Sequence, residues 1–247
     1  MITIKTKEEI AILREGGQIL ASVLKQLEKM AEPGVNILDL EKKAEQLIKK
    51  AGATPSFLGH KGYPSIICAS FNEEVVHCPP DGRILKERDL LSLDCGVIYK
   101  KLYTDSARTI PIGTASKEAK KLLKVTKVAL EKGIKVTKPG ATIGDVSHAI
   151  QVYVEGQGLS VVKALVGHGV GYAVHEDPRI PNFGQPGTGE VLKPGMVLAY
   201  EPMVNLGDSP VDFHSDGWRV TTRDSSLSAH FEDTIVVTEK GCEILTK

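Results

Sequence analysis

The sequence carries no excess of either charge: 31 lysines and arginines are matched by 31 aspartates and glutamates over 247 residues. A nucleic-acid-binding surface needs a basic surplus, so composition gives no support to that class. Cysteine is sparse, with Cys68, Cys78, Cys95 and Cys242 forming neither a CxxC pair nor a zinc-finger spacing. Reduced thiols and a cytoplasmic setting are the simplest expectation. The opening stretch, MITIKTKEEI, lacks the apolar segment of a signal peptide. No run of 18 apolar residues exists, so no membrane-spanning helix is expected. Low-complexity tracts are also missing. What is present, 41% hydrophobic residues in a chain of this length, suffices for one compact domain with a sizeable core.

Helical periodicity places a first helix from near Thr6 to near Met30. Thr6 and Glu9 have capping-box spacing, and Ile10, Leu13, Leu20, Leu24 and Leu27 follow at helical intervals. With a helix starting this early, no N-terminal accessory domain is expected. After Pro33-Gly34, a second helix opens at Asn36 with Leu40, Ala44, Leu47 and Ile48 on one face, and stops at Gly52. The same order recurs: a helix over about 116–135, then Pro139-Gly140, then a helix opening at Thr142 with Val146, Ile150 and Val154. The turn PGVNILD at 33–39 matches PGATIGD at 139–145, an offset of 106, and LKERDLLSLD at 85–94 matches LKPGMVLAYE at 192–201, an offset of 107. A duplicated fold, with halves of about 1–113 and 114–247 in one catalytic domain, explains four elements recurring in order.

The alignment pairs Asp94 with Glu201, each expected to end an apolar run that reads as a buried inner strand. A second acid follows in each half, Asp105 in LYTDSARTI and Glu232 in HFEDTIVV, both in β-prone surroundings. Four carboxylates cannot share a low-dielectric pocket unpaired. Two divalent cations, about +4 against about −4, resolve the conflict. His168, flanked by glycines in VGHGVG, is the candidate nitrogen donor, because the glycines allow close backbone approach. Oxygen ligands with one nitrogen and no thiolate suit manganese, iron(II) or cobalt, and admit zinc. Two such ions lower the pKa of a shared water and polarise a carbonyl, which suits amide hydrolysis. Each residue alone is a weak signal; an aspartate after a strand is more often a turn or cap residue.

These residues sit in stretches that resemble the type I methionine aminopeptidases of the pita-bread fold: GYPSIICASFNEEVVH at 62–77, LDCGVIYKKLYTDSART at 93–109, VGHGVGYAVHEDP at 166–178, YEPM at 200–203 and DGWRVTTRDSSLSAHFEDTIVVTEKGCEIL at 216–245. The resemblance covers nearly the whole chain. It implies an α/β (α+β) fold of two pseudo-symmetric halves with a central antiparallel sheet covered by helices. It also implies removal of the initiator methionine when the second residue is small, from N-terminal Met peptides and nascent chains. By resemblance Asp94, Asp105, His168, Glu201 and Glu232 hold two divalent ions, with Asp105 and Glu232 bridging. His175 stabilises the developing oxyanion, His77 contacts the substrate backbone, and Glu201 doubles as proton shuttle. Tyr63, Cys68 and Trp218 form the methionine slot, an apolar, polarizable surface suited to a thioether. A core tryptophan is what residue type alone favours for Trp218. A monovalent cation near Asn72 and Ser228 is implied as well. His60, His148, His214 and His230 receive no role, and His148 reads as an ordinary helix residue.

Three positions depart from the family pattern: Val174 replaces an aromatic residue, His60 a tyrosine, and Phe57 a smaller residue. They leave the metal set intact and bear on the slot's width. A proline-directed aminopeptidase of the same fold usually has a large N-terminal domain. A type II methionine aminopeptidase has an insert between its two metal-binding glutamates, for which the 31-residue interval from Glu201 to Glu232 leaves no room. A non-catalytic relative is expected to lose ligands, and all five are present. Lys117, Lys120, Lys121, Lys124 and Lys127 form a basic helix face that offers ribosomal RNA a surface, although a solvated face is the simpler reading. A monomer without membrane or sequence-specific nucleic-acid partners is expected.

Overall fold

A computed structural model describes residues 1–247. Each of its four α-helices starts on a side chain suited to the task. Thr6 Oγ1 accepts from the Glu9 amide and Glu9 accepts from the Thr6 amide at the head of α1, Lys7–Met30. Asn36 Oδ1 accepts from the Leu38 amide ahead of α2, Ile37–Lys50. Ser116 opens α3, Lys117–Val136. Thr142 and Asp145 close a capping box on α4, Ile143–Gly156. Such caps satisfy amides that the helix itself leaves bare. Gly52, at φ 73°, takes the left-handed conformation that ends α2.

Each helix pair is tied, through the same three backbone bonds, to the segment that leads into an inner strand. In the first pair these are Gly34 N to Leu85 O, Leu85 N to Val35 O, and Ile37 N to Arg83 O. In the second they are Gly140 N to Leu192 O, Leu192 N to Ala141 O, and Ile143 N to Glu190 O. The Pro-Gly turns make this possible, since Gly34 (φ 93°) and Gly140 (φ 87°) turn the chain where a side chain would be strained.

The central sheet has nine strands, all paired antiparallel. Its middle runs Leu90–Tyr99, Leu102–Pro111, Glu232–Val237, Val197–Tyr200, Val166–Gly169 and Glu176–Pro181. Ile67–Phe71 and Thr54–Pro55 pair outside Leu90–Tyr99, and Cys242–Ile244 pairs with Glu232–Val237. Asp94 therefore lies mid-strand rather than at a strand end. The ladder with the neighbouring strand continues to the Tyr99–Leu102 pair, where Lys100 and Lys101, both at positive φ, make the two-residue hairpin turn. Glu201, by contrast, directly follows the last strand residue, Tyr200, and precedes Pro202.

Two core clusters of similar size, 20 and 23 buried residues, lie under the two helix pairs. A third cluster joins α1, through Leu13, to Val170, Val197, Ala199, Val236 and Leu245 from the C-terminal part of the chain. Close approach of α1 depends on Gly17, where a Cβ would overlap the Leu245 carbonyl. The lysines at 117, 120, 121, 124 and 127 are all exposed on α3, and no helix is long and apolar enough to cross a membrane.

Backbone cannot yield as a flexible side chain does, so Gly17→Ala is expected to lose about 1–3 kcal/mol of stability, as overpacking does. Urea unfolding followed by circular dichroism reads the change; an unaltered midpoint would show that α1 shifts freely.

Candidate metal centre and active-site cavity

Strand register decides which side chains meet. Cys68 opposes Asp94, Asp94 opposes Ala107, and Ala107 opposes Glu232, so one row crosses four strands. Residues in such a row share a face, and Asp105 and Ala107, two apart on one strand, share it too. A second row joins Thr234, Ala199 and His168. Glu232 precedes Thr234 by two residues and Glu201 follows Ala199 by two, which carries both glutamates to the same face. Alanines at 107 and 199, both fully buried, leave the space that the longer side chains fill. Glycines beside His168 are required by contact, because a Cβ on Gly167 or Gly169 would overlap the carbonyl of Ala199 or Asp177.

These residues line a cavity of about 170 Å³, together with His77, His175, Tyr63, Cys68 and Trp218. The ten side chains to which the resemblance gives a divalent-metal, catalytic or methionine-binding role thus come to one place. A wider groove of about 1140 Å³ beside the N-terminal segment has no histidine in its lining.

The cavity is electrostatically unfavourable as bare protein. Burial pushes Asp94 up to about 7, with Glu201 adding to the rise and His230 opposing it. Burial likewise raises Glu201 to about 7, against the pull of His168. Asp105 and Glu232 are driven well above the ordinary carboxylate range by burial first and then by their acidic neighbours. Asp94 Oδ1 and Glu232 Oε1 are buried without any hydrogen-bond partner. Orphaned acceptors of this kind are costly unless a cation meets them. Asp105, His168 and Glu232 bring one donor atom each within 4.8 Å of one another. His168 Nδ1 lies 3.0 Å from the Gly169 carbonyl, which can only accept, so Nδ1 carries the hydrogen. Nε2 is left with its lone pair toward the acids, 3.4 Å from Glu201 Oε1 and 4.0 Å from Glu232 Oε1. The donor chemistry therefore fits divalent cations.

Asp105 is held rigidly. Its amide donates to Thr234 Oγ1 (3.0 Å), which donates to its carbonyl (2.7 Å), while Oδ1 accepts from the Ser106 amide (3.0 Å). Beside the acids, His175 packs edge-on to His168 with centroids 4.4 Å apart. Burial lowers His175 to about 3 and His77 to about 4, so both are neutral near pH 7. His77 also sits at φ 62°, an uncommon conformation for a residue with a Cβ, at the cavity wall.

The apolar end is built from Tyr63, Cys68, Phe57 and Val174, with Trp218 and Tyr103 packed against them. Tyr63 stacks edge-on with Trp218 at 5.0 Å and Phe57 at 6.4 Å. Trp218 is half-buried at the cavity rather than an interior tryptophan, and its loop is set by Asp216, which accepts from the Trp218 and Arg219 amides. Phe57, Val174 and His60, noticed in the sequence only as departures, all line the cavity. His148 bonds the Gly184 carbonyl from α4, away from the cavity. Sequence reasoning missed His230. It ends the strand Ser228–His230 of a separate sheet, two residues before Glu232, and only the turn of the chain between the two strands brings it to the acids.

Residues 11–239 match the model of metallopeptidase family M24. Methionine aminopeptidase 1 of Bacillus subtilis is 49% identical over the full length of both chains, and the methionine aminopeptidase of Clostridium acetobutylicum is 49% identical over all of this chain and 99% of its own. The crystal structure of methionine aminopeptidase from Thermotoga maritima superposes with a TM-score of 0.98 at 48% identity, covering both chains completely. Prolidase from Pyrococcus furiosus shares the fold, with a TM-score of 0.79 at 24% identity over 65% of its length. With a family model spanning most of its length and relatives aligned end to end, the chain belongs to metallopeptidase family M24.

Proposed function

We propose that this cavity removes the N-terminal methionine from peptides and nascent proteins whose second residue is small. The observation that carries the reading is a single one: five potential metal donors converge on one sheet face at the foot of an enclosed apolar slot. Full-length similarity to methionine aminopeptidases supports it.

Asp94, Asp105, His168, Glu201 and Glu232 would hold two divalent ions, with Asp105 and Glu232, neighbours on the two central strands, serving both. The ions would be manganese, iron(II), cobalt or zinc, and would supply a water of lowered pKa and a polarised scissile carbonyl. Tyr63, Cys68 and Trp218, helped by Phe57 and Val174, would take the methionine side chain, since sulfur packs well on aromatic edges. Neutral His175 donates an N–H to the carbonyl oxygen as negative charge develops there. His77 donates to the substrate backbone. Glu201 accepts a proton at a carboxylate oxygen and returns it to the leaving amine. Halves of about 1–113 and 114–247 would be an ancient duplication, supported by the repeated bonds between each Pro-Gly turn and the segment ahead of the inner strand. The monovalent site would lie where the Ser228 amide donates to the Asn72 carbonyl. The exposed α3 lysines would be a solvated face, with ribosomal RNA as their alternative contact. A cytoplasmic monomer is the proposed working form.

Chelated protein reconstituted with each metal is expected to release methionine from Met-Ala and Met-Gly peptides and to spare Met-Leu. Faster cleavage of Xaa-Pro peptides overturns the assignment. Asp105→Ala and Glu232→Ala are expected to abolish turnover and reduce bound metal. His175→Ala is expected to keep its metal while slowing the chemical step by about 10²–10³, as loss of an oxyanion donor does; metal analysis beside single-turnover kinetics separates the two classes.

Without metal, stability should depend on pH in a defined direction. The unfolded carboxyls titrate near pH 4, whereas Asp94 and Glu201 in the fold titrate at about 7. Between those values the folded state keeps protons that the unfolded chain has released, so stability is lost as pH rises. Chelated protein should melt at least about 2–4 °C lower at pH 8 than at pH 5.5, the shift that 1 kcal/mol produces. Saturating manganese should remove that decline, and a flat melting profile for the chelated protein would contradict it.

A further inference from the structure

His230 is 2% exposed, and neither ring nitrogen has a hydrogen-bond partner. Its backbone is pinned on both sides by one side chain: the His230 amide donates to Thr109 Oγ1 (2.8 Å) and the Thr109 hydroxyl donates to the His230 carbonyl (2.7 Å). The ring is thereby aimed into the acid cluster, where Nε2 lies 3.5 Å from Glu201 Oε2. The other Glu201 oxygen, Oε1, lies 3.4 Å from His168 Nε2. One carboxylate thus stands between two imidazoles, with one oxygen turned to each.

The two imidazoles meet that carboxylate differently. His168 spends its Nδ1 hydrogen on the Gly169 carbonyl and so offers Glu201 a bare nitrogen. His230 has no such constraint: neither of its nitrogens is tied to a backbone acceptor, which leaves Nε2 free to carry the hydrogen toward Glu201 Oε2. We propose that His230 is a positioning residue: its Nε2–H holds Glu201 Oε2, so that Oε1 is presented beside His168 Nε2 to one divalent cation. A carboxylate ligand fixed through its outer oxygen by a buried donor is a recognised way of raising metal affinity, by about 10–100-fold. The proposal rests on the metal-centre reading above and adds a sixth residue to its machinery, one that touches a ligand and no metal.

The test compares His230→Gln, whose amide can still donate, with His230→Leu, which fills the space and cannot. Chelated wild-type and variant proteins are titrated with manganese alone, free ion being followed by electron paramagnetic resonance, and coordinated nitrogen is counted by pulsed measurements on the loaded forms. Expected are wild-type-like affinity in His230→Gln, a 10–100-fold loss in His230→Leu, and one coordinated imidazole nitrogen in both wild type and His230→Gln. Wild-type affinity in His230→Leu overturns the proposal. So does weak binding in His230→Gln, or a second coordinated nitrogen that this variant loses, which would make His230 a direct ligand. Should His230→Leu fail to melt cooperatively, the affinity and nitrogen count of His230→Gln still decide. If wild-type protein itself takes up no manganese, the metal-centre reading fails, which is a different result from any of these.

Discussion

Four carboxylates lining one cavity set the terms for their surroundings. Asp94, Asp105, Glu201 and Glu232 are each pushed toward the protonated form by burial, and the last acceptor atoms of Asp94 and Glu232 have nothing to bond. A fold that gains only several kcal/mol net cannot hold such a group as four bare anions. Divalent cations turn the same convergence from a liability into a binding site, and burial keeps the histidines around it neutral. His175 and His77, held uncharged by burial, can then donate hydrogen bonds without adding a competing positive charge.

The apolar slot and the acid cluster are one construction. Cys68 occupies the row that continues through Asp94, Ala107 and Glu232, so the sheet presents a thiol at one end and carboxylates at the other. The distance between side-chain recognition and the reacting bond is therefore fixed by strand spacing, about 4.8 Å per step. That gives the exchanges at Phe57, His60 and Val174 room to alter selectivity without disturbing the metal donors.

Much of this was legible in the sequence because local rules and global architecture agree. Thr6, Asn36, Ser116 and Thr142 announce their helices through chemistry that acts within three residues. Spacing and sign identify the acids, since few arrangements other than metal binding tolerate them together. Where reading failed, the deciding contact was distant in the chain. Asp94 was expected at a strand end because the apolar run stops there, yet the hairpin partner from Leu102 onward carries the ladder five residues further. Residue type alone favours a core place for Trp218, the resemblance places it at the slot, and a loop fixed by Asp216 brings it to the cavity. His230 ends the strand Ser228–His230 of a separate three-stranded sheet, just before the strand that opens at Glu232, so a period of two could not assign it a face.

The two central strands, Leu102–Pro111 and Glu232–Val237, pair at only two register positions, Glu232 with Ala107 and Asp233 with Ser106. Around that short seam the Ser106 hydroxyl donates to the Glu232 carbonyl and Arg108 reaches Asp233. Asp105 and Glu232 flank it, one from each strand. Ions held there would work as rivets as well as reagents, because whatever binds only the closed form stabilises it by mass action. Metal starvation would then loosen the join between the strands and open the chain to proteases, making the lifetime of the protein in the cell a measure of the metal supply its chemistry requires.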